Sequence, residues 1–244
     1  ADIFGRDAIE LFKSEGIDTS YIIIDETTHT GAGIIFVDEI GQNAIWVAPG
    51  ANYRLSLEDL ERFSGLFKQC EILLIQLEIP LPVVYQSISM ASMAGATVIV
   101  NPAPAQKIEY EYLSMIDILT PNQIEAEVLS GIPVTDIKSA IEAGKFLLSQ
   151  GVGSVVVTLG SDGAVLISEG EIKYFPSHKV NVVDSTGAGD AFNGGLAYGL
   201  AEGKSLPESV DFASKVAALS VTKIGVVPGL PKMHDIEKHF GKVW

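Results

Sequence analysis

The stretch VVDSTGAGDAFNGGLAYGL, residues 182–200, places a turn of very small residues directly in front of an apolar helix. Gly187, Ala188 and Gly189 remove almost every side chain from this turn, and Asp190 then places a carboxylate on the first helical turn. A tight turn alone does not require so many small residues. The unpaired amides at the start of a helix, together with the helix dipole, bind anions such as phosphate. The stretch therefore predicts a phosphate held by backbone N–H groups beside a carboxylate.

Elsewhere in the chain, short apolar runs alternate with amphipathic segments. Several runs rich in β-branched residues are apolar throughout, which is typical of parallel strands covered on both faces. These strand candidates are residues 71–77, 97–101, 116–121 and 154–160. The helix candidates between them are residues 56–68, 81–95, 122–131 and 137–151. Repeated βα units of this kind predict a three-layer α/β/α fold around a mainly parallel sheet.

Two stretches depart from the βα pattern. Residues 31–52 predict a β-hairpin that turns at 38–42, and residues 162–176 predict a second hairpin. The C-terminal third has a helical pattern, with one helix that Ser205 caps and Gly225 ends.

Composition limits the classes of function. The chain has 31 acidic and 16 basic residues, a formal net charge of −15, so we expect no nucleic-acid partner. No apolar run approaches the roughly 20 residues that span a bilayer, so we expect no membrane partner either. The single cysteine, Cys70, leaves no internal disulfide and fits a reducing compartment. Composition therefore predicts a cytoplasmic protein with a small-molecule partner.

Two more polar segments follow predicted strands, at the sheet edge where open α/β sheets bind ligands. In TPNQIEAE, residues 120–127, Asn122 and Glu125 begin a helix. The spacing is that of a capping box, so a purely structural role and a binding role have about even weight. In TLGSDGA, residues 158–164, a small-residue turn follows a strand, and a plain hairpin connection is the more common explanation.

Other catalytic motifs are disfavoured. The sequence contains no G-x-x-x-x-G-K-[ST], and its Gly-x-Gly lies too late in the chain for a dinucleotide fingerprint. His234 and His239 are five positions apart, a spacing that does not place two metal ligands on one helical face. No G-x-S-x-G is present, which disfavours acyl transfer.

The three polar segments together, in this order and separation, resemble the ribokinase-like carbohydrate kinases. DSTGAGDAFNGGL resembles the signature of that family, TPNQIEAE its Asn-x-x-Glu motif and TLGSDGA its nucleotide loop. Residues 28–52, LLIQLEIPL and NPAPA are similar to the ribokinase branch. The resemblance implies one ribokinase-like α/β domain over residues 1–244. It also implies transfer of a phosphoryl group from ATP to the primary hydroxyl of a sugar, with D-ribose as the first candidate.

The resemblance implies roles for individual positions. Asp190 corresponds to the base that accepts the proton of the sugar hydroxyl, and it also contacts the substrate. Gly187, Ala188 and Gly189 correspond to an anion hole for the transferring phosphoryl group. Glu78 corresponds to a sugar contact. The positions that correspond to ATP contacts are Asn122, Thr158, Gly160, Ser161, Gly163 and Ser214.

Two cation roles are also implied. Glu125 corresponds to the acid that organises Mg²⁺, through water. The family further carries a monovalent cation site, and K⁺ bound there would fix the loop of the anion hole and activate the enzyme. The corresponding positions are Asp184, Thr186, Ser220, Lys223, Gly225 and Gly229, most of which contribute backbone carbonyls.

The family pattern begins with a further N-terminal segment that supplies the first strands and part of the sugar site. This sequence has no counterpart of that segment, so we expect an N-terminally incomplete domain with little activity of its own. Residues 31–49 correspond to a lid hairpin, and we expect a homodimer that forms through it. The apolar face of the hairpin is expected to contain Ile34, Phe36, Ile45 and Val47.

Three interpretations of function stay open at this stage. The first is a ribose kinase. The second is a kinase of the same family that acts on fructose, a nucleoside or a keto-deoxy sugar acid. The third is a nucleotide-binding remnant that keeps Asp190 without turnover.

Overall fold

The computed structural model describes residues 1–37 and 43–244, and it describes side chains outside 35–45. The chain forms a small sheet and a large sheet, with helices on both faces of the large one. The strands are β1 (Ala32–Val37), β2 (Asn43–Ala48), β3 (Ile72–Gln76), β4 (Thr97–Asn101), β5 (Ile118–Leu119), β6 (Ser154–Thr158), β7 (Ala164–Ser168) and β8 (Glu171–Phe175).

The helices follow the predicted pattern closely. They are α1 (Ile3–Ser14), α2 (Leu57–Arg62), α3 (Ser64–Phe67), α4 (Leu81–Ala94), α5 (Tyr110–Leu113), α6 (Gln123–Ser130), α7 (Ile137–Ser149), α8 (Ala188–Ala201), α9 (Leu206–Ser220), α10 (Val226–Gly229) and α11 (Met233–Phe240). Short 3₁₀ turns lie at Gly50–Arg54 and Gly160–Asp162. No helix among the described residues is both long enough and apolar enough to cross a bilayer.

The large sheet has six strands in the order β3-β4-β5-β6-β7-β8. The pairs β3–β4, β4–β5 and β5–β6 are parallel. The pairs β6–β7 and β7–β8 are antiparallel, because the second predicted hairpin adds two strands at this edge. The prediction of a mainly parallel sheet is therefore confirmed.

Each central strand contributes side chains to two separate cores. In β4, the buried Val98 and Val100 pack towards α4, α6 and α7, whereas Ile99 packs towards α8 and α9. Val155 and Val157 of β6 alternate with Val156 in the same way. This alternation explains why the strands are apolar throughout and confirms the three-layer arrangement.

Helices α8 and α9 form a close antiparallel pair. A Cβ added at Gly195 would lie 2.9 Å from the Cα of Ala213, and one at Gly199 would lie 3.0 Å from the Cα of Ser209. These two glycines therefore let the helix backbones approach without side chains between them. The start of α8 and the end of α9 lie at the same end of the pair, beside the carboxyl ends of the parallel strands.

Two predicted helix boundaries are wrong. The segment 56–68 forms two helices, α2 and α3, which separate at Phe63, where ψ is 12°. Ser64 and Gly65, which are weaker helix formers, follow that break. Ser205 begins α9 through a capping box with Glu208, as predicted, but α9 ends at Ser220 and Gly225 instead begins α10.

The first hairpin is present as β1 and β2, while its predicted turn at 38–42 lies outside the described residues. The predicted apolar face is wrong. Ile34 pairs with Trp46, and Gly33 pairs with Val47. Directly paired residues share a face of an antiparallel sheet and neighbouring residues alternate, so Ile34 and Val47 lie on opposite faces.

Candidate active site

The candidate site lies at the carboxyl ends of β3 to β6, where the first turn of α8 faces the sheet edge. Gly187 caps α8 with a φ of +78°, which an L side chain rarely adopts. A Cβ at Gly187 would also lie 2.6 Å from Cγ1 of Val226 in α10. At Gly189, in contrast, a Cβ would meet nothing within 4 Å. The turn is therefore closed on its protein side and open where a ligand would lie.

Asp190 is exposed on the first turn of α8, and Glu78 lies within range of electrostatic interaction with it. Burial raises the pKa of the Glu78 carboxyl, and the negative charge of Asp190 raises it further. The structure thus brings together two positions that lie more than a hundred residues apart and that were predicted to hold the sugar.

A set of side chains that the sequence analysis did not select lies directly beneath Asp190. Gln76 Nε2 donates to Asp190 Oδ1 at 2.8 Å and lies 3.4 Å from Asn101 Oδ1. Asn101 Nδ2 donates to the carbonyl of Thr120 at 3.0 Å, and the Thr120 hydroxyl donates to Asn193 Oδ1 at 2.7 Å. Gln76, Asn101 and Thr120 are the polar residues at the ends of three apolar strands, a pattern that could have revealed them.

Asn193 completes this network from within α8. Its Nδ2 donates to the carbonyl of Gly189 at 2.9 Å, so the first turn of α8 is bonded through Asn193 to Thr120 and through Asp190 to Gln76. Asn101, Thr120 and Asn193 are all buried. Because buried polar groups are costly unless paired, these bonds fix the position of α8 over the sheet edge.

Asn122 and Glu125 form the predicted capping box at the start of α6. Asn122 Oδ1 accepts from the Glu125 N–H at 2.9 Å, and Glu125 Oε2 accepts from the Asn122 N–H at 2.8 Å. Asn122 Nδ2 also donates to Glu125 Oε1 at 2.8 Å. Glu125 is 5% exposed; burial raises its pKa, and the backbone bond from Asn122 opposes that rise. The structural role of this pair is therefore established.

The surroundings of Glu125 fit a magnesium ion held through water. Both of its carboxylate oxygens are already bonded to Asn122, and each keeps a further lone pair for a metal-bound water. Mg²⁺ usually keeps several waters and takes substrate phosphates as ligands. Across residues 1–37 and 43–244, no cluster of three or more His, Cys, Asp or Glu side chains could hold a metal directly.

The predicted nucleotide loop lies next to this capping box. Asn122 forms a parallel bridge with Thr158, whose N–H donates to the carbonyl of Pro121 at 2.9 Å. Gly160 and Ser161 follow in an exposed 3₁₀ turn. Packing also requires glycine at position 163, since a Cβ there would lie 2.0 Å from the carbonyl oxygen of Phe175.

Ser214 lies in the middle of α9. Its hydroxyl donates to the carbonyl of Val210, one turn earlier in the same helix, at 2.9 Å. Its predicted place near the adenine therefore stays a prediction.

The predicted cation positions meet where the loop before α8 contacts the end of α9. Asp184 Oδ1 accepts from the Thr186 N–H at 3.0 Å, and Asp184 Oδ2 accepts from the Gly225 N–H at 2.9 Å. These backbone bonds lower the pKa of Asp184. A Cβ at the buried Gly229 would lie 2.5 Å from the carbonyl oxygen of Ser220, so these two backbones are in direct contact.

Lys223 is exposed on the turn between α9 and α10. The cation positions therefore surround one junction of backbone segments rather than a cluster of side chains.

Comparison with known proteins agrees with this arrangement. Residues 1–233 match the pfkB family of carbohydrate kinases. Ribokinase of Haemophilus influenzae is 38% identical over 235 residues, a match that covers 96% of this chain and 77% of the relative. Deoxyribokinase of Salmonella typhi is 33% identical over 239 residues, covering 98% of this chain and 78% of the relative.

A solved structure of ribokinase from Arabidopsis thaliana, complexed with ribose and ATP, is also similar. It superposes with a TM-score of 0.88 at 32% identity, covering 97% of this chain and 78% of that one. Sequence, fold and the meeting of the three polar segments at one sheet edge lead to the same conclusion. This chain belongs to the pfkB family of carbohydrate kinases.

Proposed function

We propose that this protein transfers the γ-phosphoryl group of ATP to the primary hydroxyl of D-ribose and forms D-ribose 5-phosphate. The observation that carries the proposal is the placement of Asp190. It lies exposed at the start of α8, beside the open side of the Gly187–Gly189 turn and within electrostatic reach of Glu78. Ribokinases that are 36–38% identical to this chain support ribose as the acceptor.

In this mechanism the protein acts mainly by positioning and by stabilising charge. Glu78 accepts a hydrogen bond from a sugar hydroxyl and so orients the primary hydroxyl towards Asp190. Asp190 accepts the proton of that hydroxyl as the phosphoryl group transfers. The amides of Gly187, Ala188 and Gly189, at the positive end of α8, stabilise the charge that the phosphoryl oxygens carry in the transition state. No lysine is required for these steps.

ATP binds along the neighbouring strand ends in this proposal. Asn122 and the loop from Thr158 to Gly163 contact the nucleotide, and Ser214 lies on the adenine side. Glu125 would hold a Mg²⁺ ion through water, and this ion would supply charge neutralisation at the phosphates. A potassium ion would be held at the positions Asp184, Thr186, Ser220, Lys223, Gly225 and Gly229, mostly by backbone carbonyls.

Two further points of the proposal concern the setting of the enzyme. The free cysteine Cys70 and the acidic composition support a cytoplasmic location. The exposed side chains of Ile34 and Trp46, which pair across the first hairpin, support a homodimer that forms through this lid.

The test of the function is a coupled assay of ATP consumption by the full-length protein with a panel of sugars. The panel contains D-ribose, 2-deoxy-D-ribose, D-fructose, a nucleoside and a keto-deoxy sugar acid. We expect the highest kcat/KM for D-ribose, and phosphorus NMR of the product should place the phosphate on the primary carbon. A higher kcat/KM for another member of the panel would rule out ribose as the preferred substrate. ATP binding without turnover of any sugar would rule out the proposed kinase activity.

A further inference from the structure

The most informative unassigned feature of the site is the side chain of Gln76, at the end of β3. It lies among polar atoms whose donor and acceptor roles can be worked out one after another. The starting point is the backbone carbonyl of Thr120, which can only accept. Asn101 is bonded to this carbonyl at 3.0 Å, so Asn101 must present its Nδ2 there.

The orientation of Asn101 then determines that of Gln76. With Nδ2 directed at Thr120, the Asn101 amide presents Oδ1, an acceptor, to Gln76 at 3.4 Å. Gln76 must therefore direct its NH₂ group, and not its Oε1, towards Asn101. A flipped Gln76 amide would place two acceptor oxygens against each other, which is unfavourable at a partly buried contact.

The second hydrogen of the Gln76 NH₂ group reaches Asp190. Nε2 lies 2.8 Å from Asp190 Oδ1, which must accept this bond. An oxygen that carried a proton would be a poor partner for a donor. The backbone carbonyl of Thr120 thus determines, through two amides, that Gln76 donates a hydrogen bond to Asp190.

We infer that Gln76 is a positioning residue for the phosphoryl transfer. Its hydrogen bond to Oδ1 fixes the orientation of the Asp190 carboxylate, and Oδ2 stays available to accept the proton of the sugar hydroxyl. The inference rests on the proposed function, because it takes Asp190 as the base. It adds that the amide of Gln76, fixed by Asn101 and the Thr120 carbonyl, selects the oxygen that reacts.

The test compares Gln76→Leu with a matched control, Gln106→Leu. Gln106 also donates a hydrogen bond at the end of β3, to the carbonyl of Leu77 at 3.1 Å, and its bonded partner is not Asp190. We expect Gln76→Leu to lower kcat by about 10- to 100-fold, since small misplacement of a reacting group has effects of this size. We expect KM for ATP and the unfolding midpoint to change no more than in Gln106→Leu.

A double-mutant cycle separates positioning from a structural effect. In an Asp190→Asn background, Gln76→Leu should lower the residual kcat no further, because its effect acts through Asp190. The inference is overturned if Gln76→Leu causes the same loss in both backgrounds, or if it matches Gln106→Leu in kcat. If Gln76→Leu does not fold, Gln76→Met, which keeps a similar length but removes the donor, takes its place with the same expectations.

A spectroscopic measurement tests the contact without turnover. In protein labelled with ¹⁵N-glutamine, the side-chain amide signals that disappear in Gln76→Leu belong to Gln76. One of them should lie downfield of a free amide and should move upfield in Asp190→Ala, which removes the acceptor. An unchanged signal would overturn the contact. Absence of sugar phosphorylation by the wild type, together with the expected shift, would instead overturn the proposed function.

Discussion

Asp184 and Gly225 are joined by a hydrogen bond of 2.9 Å between a carboxylate oxygen and a backbone N–H, although 41 residues separate them. The same carboxylate accepts a bond from the N–H of Thr186, directly before the Gly187–Gly189 turn. One side chain therefore connects the loop before α8 to the turn after α9. An ion bound at this junction would therefore act on the proposed anion hole through Asp184.

Potassium is expected to activate the enzyme several-fold, and sodium to activate it poorly. The candidate site consists mostly of backbone carbonyls, and a larger, weakly hydrated cation loses its water more readily to such a site. The measurement is the initial rate in buffers that contain Tris alone, Na⁺ or K⁺. Asp184→Ala, which removes the connecting carboxylate, should abolish the difference. Equal rates of the wild type in Tris and in K⁺ would rule out the cation assignment.

Asp190→Asn is expected to lower kcat by about 100-fold or more, the usual scale for loss of a positioned general base. ATP affinity and the unfolding midpoint should stay close to those of the wild type, because Asp190 is exposed and Asn can keep the contact with Gln76. Steady-state kinetics and calorimetry with ATP are the measurements. Near-normal turnover would remove Asp190 from the mechanism.

Gly189→Ala is expected to separate stability from activity. A Cβ at this position meets no atom within 4 Å, and alanine in place of a helical glycine can stabilise by up to about 1 kcal/mol. The unfolding midpoint should therefore stay the same or rise, while the methyl group enters the proposed phosphate space and lowers kcat. Gly187→Ala is the contrasting variant and should unfold more easily, because of its positive φ and the contact with Val226. Full activity of Gly189→Ala would place the phosphate elsewhere.

Ribose affinity is expected to fall as the pH is lowered. The loss should occur at a higher pH than it would if Glu78 had the pKa of an ordinary glutamate. The pKa of Glu78 is raised by burial and by the charge of Asp190, and its proposed role requires the ionised form. Affinity is then present above this raised pKa and lost as the pH falls through it. In Asp190→Asn one cause of the rise is removed, so the loss should move to lower pH. Calorimetric titrations with ribose across the acid range give the pH at which affinity is half lost. The same pH in the wild type and in Asp190→Asn would show that Glu78 is not involved.

Trp46→Lys is expected to weaken self-association. The Trp46 side chain is 74% exposed and pairs with Ile34, which is 57% exposed, so a charge there would oppose pairing with a second copy. Light scattering gives the mass in solution for the wild type and the variant. Met93→Lys, at an exposed position on α4, serves as the control and should leave the mass unchanged. A wild type that remains monomeric at high concentration would contradict the lid dimer.

Most of the architecture could be predicted because the apolar runs and turn signals of this chain are strong. The four β-branched runs became β3 to β6, and their two-sided burial followed from the alternation of residues such as Val98 and Ile99. The faces of the first hairpin could not be predicted, because strand register depends on the turn and not on the apolar residues alone.

The candidate site was predictable where a motif lies within one segment, as for Asn122 with Glu125 or for Asp190 with its glycine turn. Gln76, Asn101, Thr120 and Asn193 were missed because their partners come from four separate elements. Hydrogen bonds between segments leave no fixed spacing in a sequence. A single polar residue at the end of an apolar run was their one visible sign.

The antiparallel packing of α8 and α9 has an electrostatic consequence. Because Gly195 and Gly199 bring the two backbones together in opposite directions, the amino end of α8 and the carboxyl end of α9 meet at the same edge of the domain. Each helix macrodipole places roughly half a unit charge at its ends, positive at the amino end and negative at the carboxyl end. This edge therefore presents two fields of opposite sign side by side, one suited to a phosphate and the other to a cation, with no net charge contributed by the pair.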